Sequence, residues 1–141
     1  MIFVDTWAWV GMAVKRDQYH ALVMKTHSQL RKARRKYVTS DYILSELITY
    51  LYAVAPVPTA ERFINSLLSN VDAGRCDLVT ISAAQFRRAW LLRQKYHDKP
   101  DISFVDFTSM VVMQDLGISE VFAGDAHFEQ VGLGLQLVPR P

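Results

Sequence analysis

A single cysteine, Cys76, among 141 residues removes two classes of architecture at once. No internal disulfide can form, and no Cys/His set stands at zinc spacing. The apolar neighbours of Cys76 suit a small buried side chain better than a nucleophile, and a reducing compartment is expected. Glycine is also scarce. Gly11, Gly74, Gly117, Gly124, Gly132 and Gly134 form neither a GxGxxG turn nor a Walker loop, and no serine sits in a GxSxG elbow. His20, His27, His97 and His127 make no tight metal-binding pair. Long apolar runs are missing as well. Met1 to Val14 is interrupted by Asp5, with no basic segment before it and no small-residue cleavage site after it. Tyr42 to Pro58 carries Glu46 and two prolines and falls short of the ~20 residues a spanning helix needs. Neither export nor membrane insertion is expected, and the expected location is the cytoplasm.

Half of the residues are apolar, 21% are charged and the mean hydropathy is +0.06, which describes a chain with enough apolar surface for one packed domain over residues 1–141. The net charge of +2 conceals an asymmetry. Eight of the sixteen Lys and Arg lie between Lys15 and Lys36, where Asp17 is the only acid. Arg31, Lys32, Arg34, Arg35 and Lys36 form one basic run, and Arg87, Arg88, Arg93 and Lys95 form a second. Both can meet phosphates; both can equally be a helix C-terminus and a solvated face.

The apolar period alternates between short continuous runs and helical spacing, the mark of an α/β fold. Strands are expected at Ile2–Val4, Tyr37–Thr39, Leu78–Ile81, Glu120–Ala123 and Leu135–Val138. The intervening helices are expected from Thr6 through Val14, over Gln18 to about Arg35 with Leu22, Val23 and Leu30 inward, and from Ser40 or Asp41 until Pro56 and Pro58 end it. Further helices follow from about Thr59 to Asp72, from Ala83 to Tyr96 packing Phe86, Trp90 and Leu91, and from the cap Ser103 to Leu116, where Gly117 stops it. Trp7, Trp9 and Trp90 stand at helical spacing among apolar residues and read as packing residues rather than base-stacking ones. The fold class that results is a three-layer α/β domain with a central parallel sheet of four or five strands flanked by helices, which binds ligands beyond the strand carboxyl ends.

Four acids occupy unusual places: Asp5 directly after the first strand, Glu46 inside an apolar helix, Asp106 in the first turn of another, and Asp125 directly after the fourth strand. Each has an ordinary explanation, since Asp5 and Asp125 can cap helices, Asp106 can complete a capping box with Ser103, and Glu46 can be solvated. Together they imply something else. The first turns of neighbouring helices point at the same rim of a parallel sheet, so the four can converge. Two carboxylates ~4.5 Å apart repel by about 4 kcal/mol at an effective dielectric of 20, and a divalent cation relieves that repulsion. An all-oxygen set suits Mg²⁺ or Mn²⁺, with water positions left for phosphodiester hydrolysis.

Ile2-Phe3-Val4-Asp5-Thr6, Ser45-Glu46-Leu47, Asp101 to Ser109 and Val121 to Phe128 resemble, in order and register over nearly the whole chain, the motifs of PIN domains, and most nearly the VapC-type ribonuclease toxins. The resemblance implies a metal-dependent endoribonuclease, the toxin of a toxin–antitoxin pair, which uses Mg²⁺ or Mn²⁺ and leaves 5′-phosphate and 3′-hydroxyl ends. It implies that Asp5, Glu46, Asp106 and Asp125 are catalytic and hold the metal, with Thr6 orienting Asp5 or its water. Val105 stands where many relatives have Thr. Asp98 and Asp101 read as loop residues, and His127 reads as a packing or capping residue. RNA, a small antitoxin and a second copy of the chain are the implied partners. The helix from Tyr42 to about Val54 is apolar nearly all round, so an exposed groove is expected between it and the next helix, close to Glu46, for antitoxin or homodimer. The competing reading is a catalytically inactive PIN-fold module that binds RNA or protein, its acids serving only as caps. A phosphoryl receiver domain is disfavoured, because no acidic pair follows the first strand and no lysine follows Lys99.

Overall fold

The computed structural model describes residues 1–141 throughout. Five short strands, β1 (Ile2–Val4), β2 (Tyr37–Ser40), β3 (Cys76–Val79), β4 (Glu120–Phe122) and β5 (Gln136–Val138), pair in parallel in the order β3-β2-β1-β4-β5. Ile2, Phe3 and Val4 are completely buried, as a central strand covered on both faces must be. Four helices lie along the connections that build the sheet in one direction: α1 (Thr6–Ala13), α2 (His20–Lys32), α3 (Asp41–Val54) and α4 (Val57–Asp72). They pack on one another. The chain then reverses direction across the sheet, and α5 (Ala83–Lys95) and α6 (Phe104–Leu116) form a closely packed pair in the return connection. Right-handed crossovers put the two groups on opposite faces, which completes the three layers. The reversal makes the carboxyl ends of β1 and β4 the topological switch point, where α/β sheets open a crevice.

Several local expectations are displaced for identifiable reasons. Pro56 and Pro58 do not end α3 so much as begin α4: Pro56 is the residue before its first turn and Pro58 lies within it, where a missing N–H costs nothing. β3 runs two residues earlier than the apolar stretch Leu78–Ile81 suggested, with Cys76 paired to Tyr37 and Val79 to Ser40. Gly74, in the left-handed region at φ 74°, ends α4 so abruptly that the strand starts almost at once. As an edge strand, β3 is only half-buried after Cys76, so its sequence carries a weak signal.

Helix α5 departs most. Phe86, Trp90 and Leu91 are 45%, 52% and 63% exposed, and only Ala89 is buried. The face between the two helices is filled instead from α6, where every residue from Phe107 to Met113 is buried. Leu22 of α2 also points outward, whereas Val23 and Leu30 are in the core as expected. No helix is long and apolar enough to cross a membrane.

The approach of α1 to α2 depends on Gly11, whose missing Cβ would stand 2.5 Å from Val23 Cγ2. Gly11→Ala is expected to overpack this contact and cost about 1–3 kcal/mol, read as a lower midpoint in urea unfolding.

Candidate active site

Asp5 is the residue from which the site is built. It leaves the end of β1 with its amide still bonded to the Phe122 carbonyl of β4 at 3.1 Å, and its own carbonyl accepts the first bonds of α1, from Ala8 at 3.1 Å and Trp9 at 3.3 Å. Its backbone is thus a helix N-cap, but its carboxylate makes no capping hydrogen bond. It leans toward the Thr6 and Trp7 amides, whose pull on its acidity is outweighed. Burial, then the nearby Asp106, then Glu46, push the Asp5 carboxyl up to about 8. The competing reading of this residue as a mere cap predicts the opposite, a carboxylate bonded to amides and acidified by them.

Asp106 reaches the same place from α6. It sits at the third position of the helix and forms both halves of a capping box with Ser103, accepting from the Ser103 amide at 3.3 Å while the Ser103 hydroxyl accepts from its own amide at 3.1 Å. The box fixes the carboxylate at the rim rather than consuming it. Burial makes it a weaker acid than an ordinary aspartate, partly offset by hydrogen bonds from His127 and Ser103. Asp125, after β4, accepts from the His127 amide at 3.0 Å and caps the 3-10 turn Ala126–Glu129. His127 Nδ1 then lies between two carboxylates, 3.2 Å from Asp106 Oδ2 and 3.0 Å from Asp125 Oδ2. One ring nitrogen therefore links the third acid to the fourth.

Glu46 stands on the exposed side of α3, in the second turn beyond the Ser40 cap. Thr6 was expected to serve Asp5. Its hydroxyl instead donates to Glu46 Oε1 at 2.6 Å, tying the start of α1 to α3 across the cleft. All four predicted acids and Thr6 line one open cleft of ≈ 680 Å³ over the switch point, together with Trp7, Tyr19, Tyr50, Asp101 and His127.

The predicted cations are elsewhere. No Lys or Arg lines the cleft. Arg31 and Lys32 lie in the last turn of α2, and Arg34 to Lys36 follow it before β2, at the amino-terminal edge of the sheet: Arg35 pairs with Glu120 at 2.8 Å and Lys36 with Asp77 at 3.2 Å, both at strand starts. Two residues of the second group are structural. Arg88 pairs with Asp115, and Arg93 donates to the carbonyls of Ile102, Tyr96 and Lys99 and lies over the Phe107 ring. A cleft with this much negative charge and no side-chain cation has the donor set of a hard divalent ion. No three Asp, Glu, His or Cys side chains are drawn into a closed cage, but Mg²⁺ is typically held by one or two carboxylates and otherwise keeps its waters, so an open carboxylate rim fits it.

A family model for the PIN domain matches residues 2–133. The chain belongs to the PIN domain family. Over 133 residues this PIN domain is 33% identical to the 23S rRNA-specific endonuclease VapC20 of Mycobacterium tuberculosis, a match covering 94% of this chain and 95% of the relative. The crystal structure of M. tuberculosis VapC20, a toxin that cleaves the sarcin-ricin loop, superposes with a TM-score of 0.78 at 28% identity over 94% and 95% of the two chains. A chain of VapBC2 from Rickettsia felis, crystallised with a DNA fragment from its promoter, shares the fold at a TM-score of 0.71 and 16% identity, over 97% of each chain.

Sequence reasoning undervalued two residues of this PIN domain. His127 was read as a packing or capping residue, and its amide does donate to the Asp125 cap, but its ring also lies between two carboxylates. Its position two after Asp125 was the available signal. Asp101 was placed in a loop; it is exposed there and also lines the cleft. The apolar groove expected between α3 and α4 is also differently walled. The cavity beside Glu46, ≈ 770 Å³, runs along Tyr42, Thr49, Tyr50 and Ala53 of α3 and is closed by Val105 of α6.

The weakened acidity of Asp5 has a stability consequence. Its folded value of about 8 lies above the reference 3.8, so between these two pH values the folded state binds the extra proton, and stability falls as pH rises. Without divalent cations, the wild type is expected to lose on the order of 5 kcal/mol relative to Asp5→Asn between about pH 4 and pH 8. Chemical unfolding of both proteins across that range measures it.

Proposed function

We propose that this PIN domain is a metal-dependent endoribonuclease that acts as the toxin of a toxin–antitoxin pair. The observation that carries the reading is the buried Asp5 carboxyl, uncapped and crowded by Asp106 and Glu46 at the switch point. A cap-only role leaves that cost without purpose; a nuclease uses it. Identity to the rRNA endonuclease VapC20 along nearly the full length of both chains supports RNA as substrate, and the likeness of the fold to VapBC2 supports a small antitoxin as partner.

Asp5, Asp106, Glu46 and Asp125 would hold Mg²⁺ or Mn²⁺. Such an ion neutralises phosphate charge and makes water acidic enough to attack phosphorus at neutral pH. The chain's own contribution is arrangement. Asp5 gives up its proton when a cation offsets the repulsion of its neighbours, the Ser103 box holds Asp106 at the rim, and the Thr6 hydroxyl keeps Glu46 turned inward. His127 keeps Asp125 beside Asp106, so the fourth acid follows the third. Products with 5′-phosphate and 3′-hydroxyl ends are expected.

Two substitutions test the assignment. Asp5→Asn and Asp106→Asn should each abolish metal-dependent cleavage of RNA while leaving the protein folded, since each puts a neutral side chain of the same shape among acids that repel one another when ionised; cleavage at the wild-type rate removes that residue from the site. The basic run gives a contrasting expectation. β2 alone places about 13 Å between it and the rim, more than the ~8 Å Debye length at physiological salt. Replacing Arg31, Lys32 and Arg34 by Gln should leave KM for a short oligoribonucleotide within about twofold.

A further inference from the structure

A cleft without cations raises the question of what grips the RNA apart from the ion at its floor. Its walls carry two large side chains that the fold does not need. Tyr19 and Tyr50 are 42% and 45% exposed, and both line the cleft. Their backbones are nevertheless well fixed. Tyr19 precedes α2 with its amide bonded to Asp17 Oδ1 at 2.8 Å. Its ring leans on Trp7, centroids 5.4 Å apart. Trp7 is immobile in turn, because the Gly124 backbone lies so close to the indole that a Cβ there would stand 2.2 Å from it, and Phe122 meets it edge-on. Tyr50 lies four residues after Glu46, one turn along the same helix face, and Glu46 is pinned by Thr6. Neither nearby tryptophan is free to stack a base, since Trp7 is the backing of Tyr19 and Trp9 is buried in the core.

We propose that Tyr19 and Tyr50 are the substrate-specificity residues of this site, each stacking an unpaired base that flanks the scissile phosphate. The proposal rests on the endoribonuclease reading and deepens it. The four acids would hold the ion that offsets phosphate charge, and base faces go to the two phenol rings, which matches the way single strands are held by aromatic platforms. It also selects the substrate class. A duplex keeps its base faces stacked internally and offers none to the tyrosines, so the substrate is a single strand, loop or bulge. Because every base has a π-face, this device sets secondary-structure preference more than base identity.

Binding is measured without cleavage, using Asp106→Asn protein and a fluorescent single-stranded oligoribonucleotide carrying 2-aminopurine, with Tyr19 or Tyr50 replaced by Phe, Leu or Ala. Leu keeps apolar volume against Trp7 but has no π-face, and so separates stacking from packing. Phe at either position should bind like the parent, whereas Leu and Ala should weaken binding by about 5- to 150-fold and restore the 2-aminopurine emission that the parent quenches. A fully paired hairpin should bind the parent at least about 5-fold more weakly than the single strand. Leu and Ala variants that bind and quench like the parent would overturn the inference and leave the nuclease reading standing; if they changed only the association of the chain with itself or another protein, this wall would be a protein interface. Failure of the parent to bind RNA at all would remove both.

Discussion

The carboxyl group of Asp5 is buried at the end of the central strand with two further acids in range, and the rest of the site is arranged around that constraint. Burial and like charge act in the same direction on it, and no arginine or lysine in the cleft offsets them. A protein can hold such a group by protonating it or by recruiting a cation. This fold does nothing to remove the problem: the sheet order places β4 beside β1, so Asp125 arrives at the same cleft as Asp5, and the capping box of α6 holds Asp106 at its rim.

The supporting contacts are inexpensive and local. A capping box and a histidine ring on Asp106, a threonine hydroxyl on Glu46 and the His127 amide on Asp125 fix three of the four acids through hydrogen bonds that would be unremarked at any helix end. Dual use is the common thread, since Asp106 and Asp125 cap their turns and face the cleft at once. The Asp5 side chain caps nothing, and its acidity is the most displaced of the four. The cost of burying charge therefore falls most heavily on Asp5 and less on Asp106, while the helix turns that Asp106 and Asp125 cap remain well terminated.

Much of this was legible before the structure. Strand β1 is a continuous apolar run buried on both faces, β2 and β4 are short β-branched and aromatic runs between helical segments, and the acids after β1 and β4 could be placed from chain order alone. Ser103 and Gly117 marked the ends of α6 because capping chemistry depends on those side chains. Legibility failed where burial is partial. Edge strand β3 gave a frame shifted by two residues, and α5 turned Phe86, Trp90 and Leu91 to solvent although apolarity suggested the core. The basic runs failed differently. Charge can be counted in a sequence, but which end of a sheet it occupies is a property of topology, and the run from Arg31 to Lys36 occupies the end away from the acids.

The central claim is that a divalent cation takes the place of a proton on Asp5. Calorimetric titration of Mn²⁺ at pH 7, repeated in buffers of different ionisation enthalpy, counts the protons released on binding. With its carboxyl pushed up to about 8, Asp5 is mostly protonated at that pH, so the wild type should release close to one proton per bound ion and Asp5→Asn none. Binding of Mn²⁺ without proton release in the wild type, or with the same release in Asp5→Asn, would contradict the account.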